Sequence, residues 1–388
     1  MGVISAIGNS VAENRVSLSE GRCGIGPLEL INSRFSHQLP CGEIKITTEE
    51  LKSKLKANER GITRTSLLAL HAFEEALADA QLTMEELAAP ETALIAGSTV
   101  GGMCLTDELY RDAGKKENGS EYLSSYDCSS ITMYLQERFK LYGHINTINT
   151  ACSSAANAIM YGAKLIKSGR AKRAIVGGVD SLSKFTINGF NALHILSRKT
   201  CMPFDQDRTG LNLGEGAAFL VLEKEEDVKN KTIYAGLTGY CNSNDAFHPS
   251  SLSDEGDGPY LAMKGALQHA GMEAGDIGFI NAHGTGTENN DQVESRALIR
   301  VFHNTPPFAS TKSNIGHTLG AAGAIGAVYS ILNLLHQEVY PSLNFNTPIA
   351  STGLVPVGYF EKLPLQNVMS NSFGFGGNCT SLIFSKAR

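Results

Sequence analysis

The 388 residues amount to roughly two to three domain lengths, ample for a sizeable buried core without disulfide or metal staples. Lys plus Arg is 33 and Asp plus Glu is 39, a net charge of -6 with no block of like charge, which leaves nucleic-acid binding without support. A 42% hydrophobic and 19% charged composition excludes a disordered chain, and the eight cysteines form no C-x-x-C pair, which argues against a zinc site or redox dithiol.

The N-terminus, MGVISAIGNSV, has no basic n-region and is not expected to be a signal peptide. The longest apolar stretch, Leu319 to Leu335, is rich in small residues and is expected to fall short of the ~20 residues of a membrane span. A cytoplasmic protein is the expectation. Glycine, at 40 residues, exceeds an average usage of about 7% and clusters inside apolar segments, as tight turns at a site require.

In chain order, Ser66 to Gln81 has the spacing of an amphipathic helix, with Leu70, Phe73 and Leu77 inward. Ala93 to Ser98 reads as a buried strand, and Ile145 to Asn149 as a second that runs into Cys152 and a small-residue helix ending near Gly169. Strands are expected at Ala174 to Val179 and Ala217 to Leu222. The charged stretch Glu223 to Lys231 follows, and the internal boundary is placed there, giving halves 1–231 and 232–388.

The second half repeats the scheme. A strand is expected over Thr232 to Gly239, a helix over Pro259 to Ala270, a strand over Ile277 to Asn281 and a helix over Asp291 to Phe302. Strand Phe308 to Thr311 leads through a polar loop to the long helix from Leu319. Strand Val368 to Ser372, the turn Gly374 to Gly377 and strand Thr380 to Phe384 close the chain. Both halves contain strand, short polar loop and a helix packed with Ala and Gly. Such helices suit a middle layer pressed on every side, so the fold class expected is α/β, a duplicated five-layer α/β/α/β/α sandwich.

Four loops carry residues capable of chemistry. Cys152 opens a helix, where unpaired N–H groups and a dipole of roughly +0.5 charge lower a thiol pKa and hold anions. Asn281 to Thr287 (NAHGTGT) follows a strand with His283 among glycines and the hydroxyls of Thr285 and Thr287; it lacks the third glycine of a nucleotide loop. Ser310 to His317 (STKSNIGH) presents Lys312, which lowers neighbouring pKa values, and His317 at a helix start, where the dipole favours neutral imidazole. Asn371 to Gly377 (NSFGFGG) sets aromatics between glycines, as a gate or oxyanion donor needs. Each loop alone also fits a plainer reading: a buried inert thiol, a capped histidine, a surface lysine, a tight turn. One Cys and two His on loops at strand ends suit acyl transfer by a thiolate followed by carbanion chemistry.

On NTACSSAANAI, PFDQDRTGLNLGEGAAFLVLE, NAHGTGTENND, STKSNIGHTLGAAGA and NSFGFGG, in that order, the chain resembles the elongating β-ketoacyl-acyl carrier protein synthases of the thiolase superfamily. The resemblance implies that Cys152 holds the acyl chain and that the N–H groups of Cys152 and Phe375 form the oxyanion hole. It implies that His283 and His317 bind the malonyl thioester carbonyl, with Lys312 nearby and Asp291 and Glu294 behind it. Thr285 and Thr287 would grip the pantetheine arm, and Phe375 would gate the acyl pocket. No metal or organic cofactor is implied, since phosphopantetheine arrives on the acyl carrier protein. The implied partners are that carrier, acyl and malonyl thioesters, and a second subunit in a homodimer or heterodimer.

The chain departs from the family pattern in three places. Gly326 stands where a glutamate is usual, removing an acid that pairs with the lysine. Asn378-Cys379 replaces Thr-Asn, which is expected to unsettle hydrogen bonding behind Phe375. The sequence starts at MGVISAIG, where the family pattern would already have completed its first strand, so the expectation is either that the start is set late or that a sheet edge is missing. Two other readings compete. A non-catalytic, chain-length-determining subunit typically lacks the active cysteine, and a thiolase needs a second catalytic cysteine, for which Cys379 is poorly placed.

Overall fold

The computed structural model describes residues 1–117, 119–228 and 231–387. Two five-stranded sheets carry the fold. The strands of the first are β1 (Gly2–Ile4), β2 (Thr92–Gly97), β3 (Ile145–Ile148), β4 (Arg173–Asp180) and β5 (Gly216–Glu223), in spatial order β1-β5-β4-β2-β3. Those of the second are β6 (Ala235–Asn244), β7 (Phe279–Asn281), β8 (Phe308–Ala309), β9 (Asn367–Phe373) and β10 (Asn378–Lys386), in order β8-β7-β9-β10-β6.

The two orders superimpose in strand direction as well as position. β2 is parallel to β3 and β4, and β7 is parallel to β8 and β9. β5 is antiparallel to β4 and β1, as β10 is to β9 and β6. Gly2 to Ile4 pair with Phe219 to Ala217, so the sheet edge is present, against the second of the two alternatives for the start at MGVISAIG. The chain changes sheets between Glu223 and Ala235; Lys229 and Asn230, in the stretch where the boundary was placed, lie outside the described residues.

The layers follow from which helix faces are apolar. Helix α1 (Arg64–Asp79), capped by Thr63, buries Leu67, Leu68, Leu70 and Phe73, and Phe73 meets Phe219 edge-on at 5.3 Å between ring centroids. It covers the outer face of the first sheet, and a short helix α3 (Lys184–Ala192), which carries Phe190, follows β4. Helices α4 (Asp257–Ala270) and α5 (Glu288–Phe302) cover the second. Between the sheets lie α2 (Ser154–Lys167) and α6 (Ala322–His336), each touching strands of both sheets and each other. Their small residues allow it: a Cβ on Gly323 would stand 2.6 Å from the Ala156 backbone nitrogen. The architecture is therefore a duplicated five-layer α/β/α/β/α sandwich, as expected.

By length and composition alone, Leu319–His336 is apolar enough to cross a membrane, against the expectation that it falls short. Yet 78% of that window is buried inside the fold, because this is the middle-layer helix with sheets on both sides. Most element ends differ from expectation by a few residues. The largest difference is at Thr232 to Gly239, where the strand runs Ala235–Asn244; at Phe308 to Thr311 only Phe308–Ala309 pair, and Lys312–Ile315 make one helical turn.

Candidate active site

The parallel strands of both sheets deliver their following loops to one place. β3 ends at the turn into Cys152, where Ala151 takes a left-handed backbone (φ 53) that bends the chain sharply before α2. The Ser154 hydroxyl accepts the Thr150 N–H at 2.9 Å and donates to the Ala151 carbonyl at 2.6 Å, which locks the bend. β7 ends at His283, and β8 leads through Lys312 to His317. The Cys152 sulfur and ring nitrogens of His283 and His317 all lie within 4.8 Å of one another, and all three residues are buried.

Burial pushes the Cys152 thiol up to about 11, opposed by the Lys312 ammonium and by N–H bonds from Phe375 and from Cys152 itself. The lowering expected from the helix start is therefore outweighed by desolvation: the thiol rests protonated in a pocket already built to receive negative charge. Both imidazoles are held well below their usual pKa by burial, with Lys312 adding to it, so both are neutral.

Their tautomers follow from their partners. Nδ1 of His317 accepts the Leu319 N–H at 3.1 Å, so the proton sits on Nε2, which is buried without a protein partner. Lys312 donates to the His283 carbonyl and lies 3.3 Å from His283 Nδ1, which leaves the proton of that ring on Nε2 as well. A Cys-His-His set suits metal binding by residue type. Here the ring nitrogens opposite these contacts carry protons and act as donors.

Asp291 and Glu294 hold the His283 loop from behind through its backbone. Glu294 accepts the N–H groups of His283 (2.8 Å) and Gly284 (2.7 Å), and Asp291 accepts those of Thr285 (2.9 Å), Gly286 (3.0 Å) and Phe204 (2.7 Å). Burial raises both carboxyls, Glu294 to about 7. Arg208 braces the next turn by donating to the carbonyls of Thr287 (3.1 Å) and Glu288 (2.7 Å), which gives PFDQDRTG a local purpose. The Thr285 and Thr287 hydroxyls are 2.8 Å apart and line, with Cys152, Phe190, Leu193 and Phe375, a cavity of about 560 Å³. Phe375 stacks on Phe190 at 5.9 Å between centroids. A larger open groove of about 1690 Å³ beside Tyr234 contains none of these groups.

The departures have local explanations. Gly326 lies on α6, where a Cβ would stand 2.9 Å from Asn281 Nδ2; that amide donates to the Gly326 carbonyl at 2.9 Å and fills the space an acid would use. Hydrogen bonding behind Phe375 is intact, contrary to expectation: Asn378 Oδ1 accepts from Ser153, Asn157 and Asn242. Cys379 is buried, with its sulfur 3.4 Å from the Gly377 carbonyl, and is not one of the clustered donors.

One residue escaped the sequence reading. Asp180, fully buried at the end of β4, accepts from Ser98 Oγ (2.9 Å), Thr99 Oγ1 (2.6 Å) and the N–H groups of Val100 (2.9 Å) and Gly320 (2.7 Å). Gly320 follows the Leu319 whose N–H fixes the His317 tautomer. A carboxylate ending an apolar run such as AIVGGVD was the available signal, since a buried charge requires several donors.

Residues 1–228 match the family described as "Beta-ketoacyl synthase, N-terminal domain" and residues 234–346 match "Beta-ketoacyl synthase, C-terminal domain". The chain is 33% identical to a putative mitochondrial 3-oxoacyl-[acyl-carrier-protein] synthase of Schizosaccharomyces pombe, over 100% of this chain and 97% of the relative. It is 32% identical to 3-oxoacyl-[acyl-carrier-protein] synthase 2 of Vibrio cholerae, with the same coverage. Among solved structures, a Xenorhabdus doucetiae ketosynthase in complex with its chain length factor superimposes with a TM-score of 0.88 at 31% identity, covering 100% of this chain and 96% of that one. With both halves matched and the donor cluster at their junction, the chain belongs to the β-ketoacyl synthase family.

Proposed function

We propose that this protein is a 3-oxoacyl-acyl carrier protein synthase that carries out decarboxylative Claisen condensation, with halves 1–231 and 232–388 contributing the nucleophile and the histidines. The observation that carries the reading is the convergence of one thiol, two N–H groups aimed at its sulfur, and two neutral imidazoles presenting Nε2–H donors.

In the first half-reaction Cys152 attacks the acyl thioester carbonyl. The sulfur–carbon bond to the carrier breaks, and the carrier thiol leaves with the proton Cys152 gave up. The N–H groups of Cys152 and Phe375 receive the oxyanion. In the second, malonyl thioester loses carbon dioxide, and its carbonyl oxygen becomes an enolate held by the Nε2–H groups of His283 and His317. The enolate carbon attacks the acyl-cysteine carbonyl, the Cys152–carbon bond breaks, and a 3-oxoacyl thioester two carbons longer leaves. Neutral donors suit this step because they stabilise the enolate oxygen without protonating the carbon.

Thr285 and Thr287 line the route for the pantetheine arm, and Phe375 against Phe190 gates the acyl chain. The substrates arrive on acyl carrier protein in fatty acid or polyketide synthesis, and the enzyme acts as a homodimer or beside a chain-length-setting subunit. A cytoplasmic location belongs to the same proposal; the apolar helix that could suggest otherwise is buried in the core.

The acyl-enzyme tests the reading. Incubation with a panel of acyl-acyl carrier proteins is expected to add the acyl mass to the protein, at Cys152 by peptide mapping. Cys152→Ala, with an unchanged circular dichroism spectrum, is expected to gain none. Acylation retained in that variant would overturn the nucleophile assignment.

A further inference from the structure

The two N–H groups facing the Cys152 sulfur come from different halves: one from the start of α2, the other from the turn between β9 and β10. Oxyanion donors work only when held at the correct separation, so something must fix one half against the other here. Asn378 stands at that junction. Its Oδ1 accepts from Ser153 Oγ (2.7 Å), Asn157 Nδ2 (2.9 Å) and Asn242 Nδ2 (2.7 Å), while its main-chain carbonyl accepts the Gly374 N–H at 2.8 Å. Ser153 directly follows the nucleophile, and Gly374 directly precedes Phe375. The junction has no slack, because a Cβ on Gly374 would stand 2.8 Å from the Thr150 carbonyl oxygen and 3.1 Å from the Cys152 nitrogen.

We infer that Asn378 is a positioning residue for acyl transfer: it ties the Gly374–Phe375 turn to the start of α2 and so sets the spacing of the two oxyanion donors. The inference rests on the acyl-transfer reading above. It separates two reactions of one sulfur. Acylation by a thioester passes through an oxyanion, whereas alkylation by iodoacetamide is a displacement at saturated carbon and does not. A tie that served stability alone would slow both reactions together.

The test compares acylation by acyl-acyl carrier protein with iodoacetamide alkylation at Cys152 in the full-length protein. The ratio of the two rates cancels any change in thiolate fraction. Asn378→Ala is expected to lower that ratio by about 10- to 100-fold, part of the roughly 10²–10³ that a lost oxyanion donor costs. Asn378→Asp, which keeps an acceptor oxygen in place, is expected to restore most of it. If Asn378→Ala is too unstable to purify, Asn378→Thr, with one shorter oxygen, is expected to show a smaller fall. An unchanged ratio in the variants would overturn the inference while leaving the acyl-transfer reading intact. Wild-type protein that alkylates but never acylates would overturn that reading itself.

Discussion

Cys152 is buried at the end of its cavity where water solvates its charge poorly, and the groups that favour the thiolate only partly offset that burial. The sign follows directly: with the thiol pushed up to about 11, the reactive fraction grows as pH rises through the neutral range. Alkylation of Cys152 by iodoacetamide is expected to climb by about tenfold per pH unit from neutrality to pH ~9. Lys312→Met removes the largest opposing influence and is expected to slow alkylation at each pH. A wild-type rate already level at neutral pH, or no effect of the variant, would contradict this. The loops that bear Cys152, His283 and His317 were legible because each follows a strand, the His283 and His317 loops being marked by glycines as well. The direction of the thiol shift was not, because it depends on how completely other segments close over the sulfur. Asp180 was missed, and the effect of Asn378 misjudged, for a related reason: their partners lie on segments distant in sequence, Gly320 for one and Ser153 for the other.

At the scale of elements, the two middle-layer helices place the chemistry, since Cys152 opens one and His317 lies just ahead of the other. Their approach depends on Gly323 against Ala156. Gly323→Ala is expected to destabilise the fold by about 1–3 kcal/mol through overpacking, read as a lower urea midpoint with unchanged slope. An unaltered midpoint would mean that the helices have room to part. The small-residue pattern made both helices recognisable as middle layers, and the repeated element order made the duplication visible. The first sheet edge was not legible, because three residues, Gly2–Ile4, carry little periodicity and gain their place only by pairing with Phe219 to Ala217.

For the molecule as a whole, β3 is the edge of the first sheet and pairs with β2 alone among the described strands. Beside it, helix Ser130–Phe139 carries the exposed Met133, and Tyr142 is exposed just beyond. An unpaired edge flanked by exposed apolar side chains fits the second subunit proposed above. Sedimentation is expected to give twice the chain mass, with Met133→Glu shifting the protein toward monomer. A monomeric, fully active wild type would contradict it.

In the proposed mechanism acylation needs Cys152 and the oxyanion donors, whereas condensation also needs the two histidines, so a histidine variant separates the half-reactions. His317→Ala would be incubated with acyl-acyl carrier protein, then malonyl-acyl carrier protein, and both the protein and the released thioester weighed by mass spectrometry. Cys152 is expected to become acylated while the 3-oxoacyl product, two carbons longer and formed by the wild type, falls by about 10²–10³. Loss of acylation together with loss of product, or product formed at the wild-type rate, would contradict the division of labour between the thiol and the histidines.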